Sequence, residues 1–173
     1  LPRKNFLAEP QGNNTAPCIG LAAVEVVARD PRAVMVVLPA DHWVADVNGF
    51  RSSIKSAVEI ATRHDSLVTI GIRPNYPETG YGYIMKGKPL GGKPGAYHVK
   101  RFHEKPSVVV AQRLIRQGSL WNSGIFVWKA ATLLELMRSY QPIISKGLEQ
   151  IKKATGGKSL GAPTPQIRSI AAR

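Results

Sequence analysis

The chain has 173 residues, which is enough for one globular domain with a sizeable core. Its formal net charge of +13 comes from 24 lysines and arginines against 11 aspartates and glutamates, and 43% of the residues are hydrophobic. This composition is typical of a soluble domain, and no apolar run approaches the roughly 20 residues that would span a bilayer.

The single cysteine, Cys18, excludes an intrachain disulfide, so we expect a reducing, cytoplasmic location. The histidines have no metal-ligand spacing with it, which argues against a zinc site. The basic excess is spread along the chain without an aromatic-interleaved stripe. We therefore expect a field that favours small anionic substrates, and expect neither nucleic acid nor a membrane as a partner.

The first half of the chain alternates between helix and strand patterns. Apolar residues follow Thr15, a candidate N-cap, and predict a helix that ends near Asp30. A valine-rich run over 33–38 predicts a buried strand, a helix capped by Asn48 follows, and 67–72 predicts the next strand. This order predicts an α/β fold in which a mostly parallel central sheet is covered by helices on both faces.

The second half predicts shorter elements. Strands are expected over 81–85 and 97–102, joined by a solvated loop rich in glycine and lysine over 86–95. Further along the chain we expect a helix that stops at Gly118, a strand and two more helices, over 108–117, 125–128, 132–140 and 142–153. The segment 1–155 is thus expected to be the folded domain, and 156–173 a loose basic tail or linker.

Five polar motifs lie where apolar strands end or helices begin, which is where open α/β sheets bind nucleotides and sugars. In chain order they are Glu-Pro-Gln-Gly-Asn-Asn-Thr from position 9, Leu-Pro-Ala-Asp-His from 38, Glu-Thr-Gly-Tyr-Gly-Tyr-Ile from 78, Phe-His-Glu-Lys-Pro from 102 and Trp-Asn-Ser-Gly from 121. In this order they resemble the sugar-1-phosphate nucleotidyltransferases. The resemblance implies a layered, Rossmann-like nucleotide-diphospho-sugar transferase fold. It also implies guanylyl transfer from GTP to mannose 1-phosphate, giving GDP-mannose and pyrophosphate.

Asp41 follows the predicted strand over 33–38, so its carboxylate is expected at the carboxyl edge of the sheet. The resemblance makes it a catalytic and nucleotide-site residue that holds Mg²⁺, an ion that takes one or two carboxylates together with phosphate oxygens. The alternative is that Asp41 only caps the following turn. We expect the neighbouring His42 to support the site structurally, because the attacking phosphate is already ionised near neutral pH.

Glu9 stands where the resemblance places recognition of the base. A carboxylate accepts two hydrogen bonds at once, from N1 and N2 of guanine, whereas adenine offers no such pair. The alternative is an acid on the N-terminal surface. The resemblance adds Pro10, Asn14 and Thr15 to the nucleotide site, with helix capping as the alternative role of Thr15. Asn13 departs from the family pattern, in which an arginine is common.

The resemblance assigns the sugar side to Gly82, Glu104, Lys105 and Asn122. Gly82 lies in a strand-like stretch, where a glycine often marks close approach of a ligand, and a bulge is the alternative. Glu104 and Lys105 are expected on opposite faces of a strand, with Glu104 on sugar hydroxyls and Lys105 as a catalytic residue on the sugar phosphate. Asn122 would bind the hexose. For Trp121, a place in the core is the alternative to a role in the site.

Two parts of the family pattern have no match in the chain: the glycine-rich loop with an arginine and a lysine that wraps the triphosphate, and a second metal-binding aspartate. We therefore expect an incomplete catalytic domain with impaired turnover and a complete sugar side. Two other functions stay open, a non-catalytic partner or sensor that binds a nucleotide sugar and a related pyrophosphorylase with another nucleotide or sugar. A homo-oligomer is a further open prediction.

Overall fold

The computed structural model describes residues 5–7, 9, 12 and 14–154. The helices in this part of the chain are α1 (Thr15–Arg29), α2 (Val47–His64), α3 (Val108–Arg116), α4 (Ala130–Tyr140) and α5 (Pro142–Ala154). Its strands are β1 (Val34–Val37), β2 (Val68–Ile72), β3 (Tyr83–Pro89), β4 (Tyr97–His103) and β5 (Leu120–Lys129). None of the described helices is both long enough and apolar enough to cross a membrane. Pro10 and the predicted tail over 156–173 lie outside the described residues.

The described residues divide into two compact units. The first unit holds the described residues up to Val37, the segment Val44–Val68 and the described residues from Phe126 onward. The second unit holds Leu38–Trp43 and Thr69–Ile125. The long strand β5 therefore contributes its end to the first unit and its beginning to the second, and each unit has its own buried apolar cluster.

The first unit is built on β1 and the end of β5, which pair antiparallel from Val34 opposite Lys129 to Val37 opposite Phe126. Helices α1, α4 and α5 pack against one another in this unit. Their apolar faces, together with Trp128, bury a contiguous cluster of side chains: Ile19, Leu21, Ala23, Val24, Ala130, Leu133, Met137, Leu148 and Ile151. Removal of this apolar surface from water stabilises the unit by about 25 cal/mol per Å².

Aspartates mark both ends of α2. Asp46 is its N-cap, because its Oδ1 accepts a hydrogen bond from the backbone nitrogen of Gly49 at 2.9 Å. The prediction that Asn48 caps this helix is therefore wrong, since Asn48 lies inside the first turn. At the other end, Asp65 contacts Nζ of Lys129 at 2.6 Å. The hydrogen bond and the positive charge of Lys129 lower the pKa of Asp65.

The second unit is built from most of β2, from β3 and β4, from the beginning of β5 and from one helix, α3. β3 pairs with β4 from Tyr83 opposite His103 to Pro89 opposite Tyr97, with irregularities around Lys86. On its other side β3 pairs with β5, where Tyr83 lies opposite Trp121, and β2 also pairs with β5. Helix α3 packs against β3, and the buried cluster consists of Tyr83, Ala111, Leu114 and Trp121.

The predicted α/β class is confirmed, but the strand direction differs from the mostly parallel sheet that the sequence predicted. The strand pairs with a defined register, β1–β5, β3–β4 and β3–β5, are antiparallel. The reason is β5, for which the sequence predicted only 125–128. The observed strand begins at Leu120, takes in the Trp-Asn-Ser-Gly motif and buries alternate residues, so it is long enough to run against both β1 and β3.

Candidate functional site

Three of the predicted sugar-side residues, Gly82, Glu104 and Asn122, come together in the second unit. The backbone nitrogen of Asn122 donates a hydrogen bond to the carbonyl oxygen of Gly82 at 2.8 Å. A Cβ placed on Gly82 would lie 2.7 Å from Oε2 of Glu104 and 3.5 Å from Cβ of Asn122. The glycine at this position therefore makes room for the Glu104 carboxylate.

Glu104 and Lys105 lie after β4, not on it. β4 ends at His103, which pairs with the first residue of β3, so the pairing of β3 with β4 ends before Glu104. The prediction that the two side chains occupy opposite faces of a strand is therefore wrong. Lys105 takes a left-handed φ of 42°, which costs an L-residue about 1–2 kcal/mol. Both side chains are exposed, at a turn beside Gly82.

Two donors hold the side chain of Asn122. The hydroxyl of Thr69, on β2, donates to its Oδ1 at 3.1 Å, and the backbone nitrogen of Gly124 donates to the same oxygen at 3.3 Å. A carbonyl oxygen has two lone pairs, so these two donors occupy it. The amide NH₂ group is the part of Asn122 that remains for a ligand.

The serine and the glycine of the Trp-Asn-Ser-Gly motif hold the backbone around its asparagine. Ser123 is buried, and its hydroxyl donates to the carbonyl oxygen of Ile70 at 2.6 Å and accepts from the nitrogen of Ile125 at 3.1 Å. Gly124 has a φ of 72°, which residues with a side chain rarely adopt. A Cβ on Gly124 would also lie 3.4 Å from Cγ of Pro39. Both residues are therefore structural parts of the motif.

Trp121 belongs to the core of the second unit. Its indole ring meets the rings of Tyr76 and Tyr81 edge to face, with centroid distances of 5.0 and 5.4 Å. The indole nitrogen is buried and has no hydrogen-bond partner in the described part of the chain. Tyr76 is exposed, and desolvation followed by the nearby charge of Glu78 raises the pKa of its hydroxyl. The sequence analysis missed this aromatic cluster, although Tyr81 lies inside one of the motifs.

Asp41 lies in the turn after β1, within the segment Leu38–Trp43 of the second unit. Its carboxylate and the neighbouring His42 are exposed. In the part of the chain that the structure describes, no three His, Cys, Asp or Glu side chains are grouped closely enough to hold a metal ion. One exposed carboxylate does fit a divalent ion that takes its other ligands from substrate phosphates and water.

The predicted nucleotide-site residues that the structure describes, apart from Asp41, lie in the first unit, before and at the start of α1. Glu9 is half-buried and lies beside Cys18. Partial desolvation of the thiol raises the pKa of Cys18, and a hydrogen bond to Glu9 and the negative charge of Glu9 raise it further. Glu9 is therefore more than an isolated acid on the surface.

Asn14, not Thr15, is the N-cap of α1. Its φ of 75° and ψ of −178° fall in a region that only glycine adopts readily. Its side chain makes no capping hydrogen bond to the described residues of the helix. Thr15 is the first residue of α1, so its predicted alternative role as the cap is wrong.

The chain is similar to a known protein family and to curated proteins. A family model described as nucleotidyl transferase matches residues 2–158. A mannose-1-phosphate guanylyltransferase of Escherichia coli K12 is 40% identical over 156 residues, covering 87% of this chain and 32% of the relative. The xanthan biosynthesis protein XanB of Xanthomonas campestris pv. campestris strain B100 is 41% identical over 154 residues, which cover 88% of this chain and 32% of that relative.

A solved structure gives the same result for the fold. The mannose-1-phosphate geranyltransferase from Thermus thermophilus superposes with a TM-score of 0.79 at 34% sequence identity. The match covers 96% of this chain and 45% of that one. The chain spans 32% of the length of the two curated relatives, so most of each relative has no counterpart in these 173 residues.

Proposed function

Because the chain belongs to the nucleotidyl transferase family, we propose that it forms part of an enzyme that transfers the guanylyl group of GTP to mannose 1-phosphate. A phosphate oxygen of mannose 1-phosphate attacks the α-phosphorus of GTP, and the bond to the leaving pyrophosphate breaks as the new P–O bond forms. Relatives named for this activity support the proposal. The observation that carries it is the grouping of Gly82, Glu104 and Asn122 in the second unit.

The sugar side would hold mannose 1-phosphate by three groups. The amide NH₂ of Asn122, whose oxygen is occupied, would donate to a sugar hydroxyl. The carboxylate of Glu104 beside Gly82 would accept hydrogen bonds from sugar hydroxyls. The exposed ammonium group of Lys105 would pair with the sugar phosphate and reduce its repulsion from the triphosphate. Together they would position the nucleophile, which by itself accounts for a large part of such rate accelerations.

The nucleotide side would recognise guanine through Glu9, whose carboxylate would accept hydrogen bonds from N1 and N2 of the base. Its half-buried position next to Cys18 supports a binding role, because burial strengthens such hydrogen bonds. The side chain of Asn14, which makes no capping hydrogen bond to the described residues of α1, and the exposed Thr15 would contact the same nucleotide. Pro10 remains a proposal from the family resemblance.

Asp41 would hold a divalent metal ion, which we propose to be Mg²⁺. Its exposed carboxylate after β1 offers the hard oxygen ligand that this ion prefers, with substrate phosphates completing the coordination. Such an ion, when bound, neutralises charge on the phosphate oxygens. The protein's part is to keep the Asp41 carboxylate accessible on its turn.

Titration of the 173-residue chain with mannose 1-phosphate, glucose 1-phosphate and GDP-mannose tests the proposal. We expect mannose 1-phosphate and GDP-mannose to bind, and mannose 1-phosphate to bind more tightly than glucose 1-phosphate. Glu104→Gln and Asn122→Ala should each weaken mannose 1-phosphate binding about tenfold, because the first removes the negative charge that strengthens the Glu104 acceptor and the second removes the Asn122 donor. Gln112→Ala on the exposed face of α3 is the matched control. Lack of sugar-phosphate binding, or an equal effect of the control, would contradict the proposed function.

A further inference from the structure

The oxygen of the Asn122 side chain is held from two directions. One donor is the hydroxyl of Thr69 on β2, at 3.1 Å, and the other is the backbone nitrogen of Gly124 on β5, at 3.3 Å. An amide side chain has an acceptor end and a donor end of nearly the same shape, so its neighbours decide which end faces a ligand. Here the Gly124 N–H can only donate, so it fixes the oxygen as the end of the amide that faces it, and the Thr69 hydroxyl donates to the same oxygen from the other side.

Of these two donors, only Thr69 can be changed by substitution without altering the backbone. Its hydroxyl oxygen lies 3.1 Å from Oδ1 of Asn122 and 3.3 Å from the carbonyl oxygen of Ile125. Both of these oxygens are acceptors, so they share the single hydroxyl proton of Thr69. Thr69 is half-buried, so water does not freely replace it.

We propose that Thr69 is a positioning residue that, together with the Gly124 nitrogen, holds the Asn122 side chain in place beside Gly82. This inference rests on the proposed function, because it makes the sugar side a hydrogen-bond donor to an oxygen of the hexose phosphate. Without the Thr69 hydroxyl, only the longer contact from Gly124 holds the amide. The Asn122 side chain would then occupy this position in a smaller part of the population, so its NH₂ group would donate to a ligand less often.

Three variants separate this role from a merely structural one. Thr69→Val keeps the shape and removes the donor, so we expect the Kd for mannose 1-phosphate to rise about 5- to 10-fold. Thr69→Ser keeps the donor, and its Kd should stay within about twofold of the wild type. Thr62→Val is the matched control: it makes the same chemical change on α2, where it removes a hydroxyl hydrogen bond to the carbonyl oxygen of Val58 but no donor to Oδ1 of Asn122. Its Kd should equal that of the wild type.

A double-mutant cycle tests whether Thr69 acts through Asn122. If it does, adding Thr69→Val to Asn122→Ala should leave Kd where Asn122→Ala alone puts it. The ¹H–¹⁵N signals of the Asn122 side chain, identified by their absence in Asn122→Ala, give a second measurement without ligand. They should shift in Thr69→Val and stay near their wild-type positions in Thr69→Ser.

Wild-type affinity in Thr69→Val would overturn the inference, as would a further loss when Thr69→Val is added to Asn122→Ala. Equal losses of affinity in Thr69→Val and Thr62→Val would show that Thr69 has only a structural role. If the wild type itself does not bind mannose 1-phosphate, the proposed function is wrong. The side-chain signals of Asn122 then show by themselves whether Thr69 holds the amide in place. Unchanged side-chain signals of Asn122 in Thr69→Val would contradict the proposed role of Thr69, whether or not mannose 1-phosphate binds.

Discussion

The carboxylate of Glu104 occupies space that a side chain at position 82 would need. Glu104 is itself exposed, so its place beside Gly82 depends on the missing Cβ and not on burial. Lys105, directly after it, holds a left-handed backbone before a proline, where such a conformation is disfavoured. Strain of this kind is found where a structure needs a particular side-chain placement, and here it adjoins the proposed sugar site.

Gly82→Ala should weaken mannose 1-phosphate binding about tenfold while lowering the free energy of unfolding only slightly. The added Cβ would lie 2.7 Å from Oε2 of Glu104, so the carboxylate must move away from its place. Because it is the end of a flexible, exposed side chain, the fold can absorb that movement. Isothermal titration and thermal melts measure the two effects separately.

Gly91→Ala is the control for this substitution, because an added Cβ at Gly91 meets no atom within 4 Å. Its affinity and melting temperature should stay at the wild-type values. If Gly82→Ala also bound mannose 1-phosphate like the wild type, the contact between Gly82 and Glu104 would have no part in ligand binding.

At the scale of whole elements, the observed cap of α2 is Asp46 and not Asn48, which the sequence predicts. Asp46→Ala should lower the free energy of unfolding by about 1 kcal/mol, because the hydrogen bond from the Gly49 nitrogen is lost. Asn48→Ala should leave it unchanged or raise it slightly, because alanine is a better residue inside a helix. Chemical denaturation followed by circular dichroism compares the two, and a larger loss in Asn48→Ala would contradict the assigned cap.

Helices were predictable from sequence because their apolar periodicity and stop residues are local. The stop at Gly118, with its φ of 74°, follows α3 as expected. Strand partners were not, since pairing depends on residues far apart in the chain. The sequence predicts only four residues of β5 because the polar Asn122 and Ser123 interrupt its apolar run, although both lie in the strand.

In the candidate site too, local motifs were predictable from the sequence and contacts between distant residues were not. Glu104 and Asn122 were found through short motifs, and the structure brings both to Gly82. Thr69 was missed because its hydrogen bond reaches a residue 53 positions further along the chain, and a threonine in a strand gives no local signal of that contact. The strand assignment of Lys105 failed because the end of a β-ladder depends on the partner strand.

For the molecule as a whole, the net charge of +13 would act on the two reactants of the proposed transfer, which are both anions. A positive field of this kind raises the local concentration of phosphorylated ligands and speeds their encounter with the protein. It does not align the attacking oxygen with the leaving pyrophosphate, which requires fixed donors at defined positions. Attraction and catalysis therefore have different structural requirements in this chain.

Gly91 and Gly92, which precede Lys93, illustrate this difference. They lie in the exposed connection between β3 and β4, where Gly92 adopts a φ of 74° that suits a turn. Glycines in such a turn serve its geometry, and nothing in this position makes them a cradle of backbone N–H groups for a triphosphate. The sugar side, by contrast, is assembled from residues of one unit.

We therefore expect the 173-residue chain to bind mannose 1-phosphate and to release almost no pyrophosphate from GTP. Loss of preorganised charge stabilisation at the leaving group lowers rates by about 10²–10³-fold. A coupled pyrophosphate assay would measure turnover with Mg²⁺ present, with the Escherichia coli K12 relative as the positive control and Asp41→Asn as the background. Turnover near that of the relative, abolished in Asp41→Asn, would show that these residues stabilise the triphosphate without the glycine-rich loop.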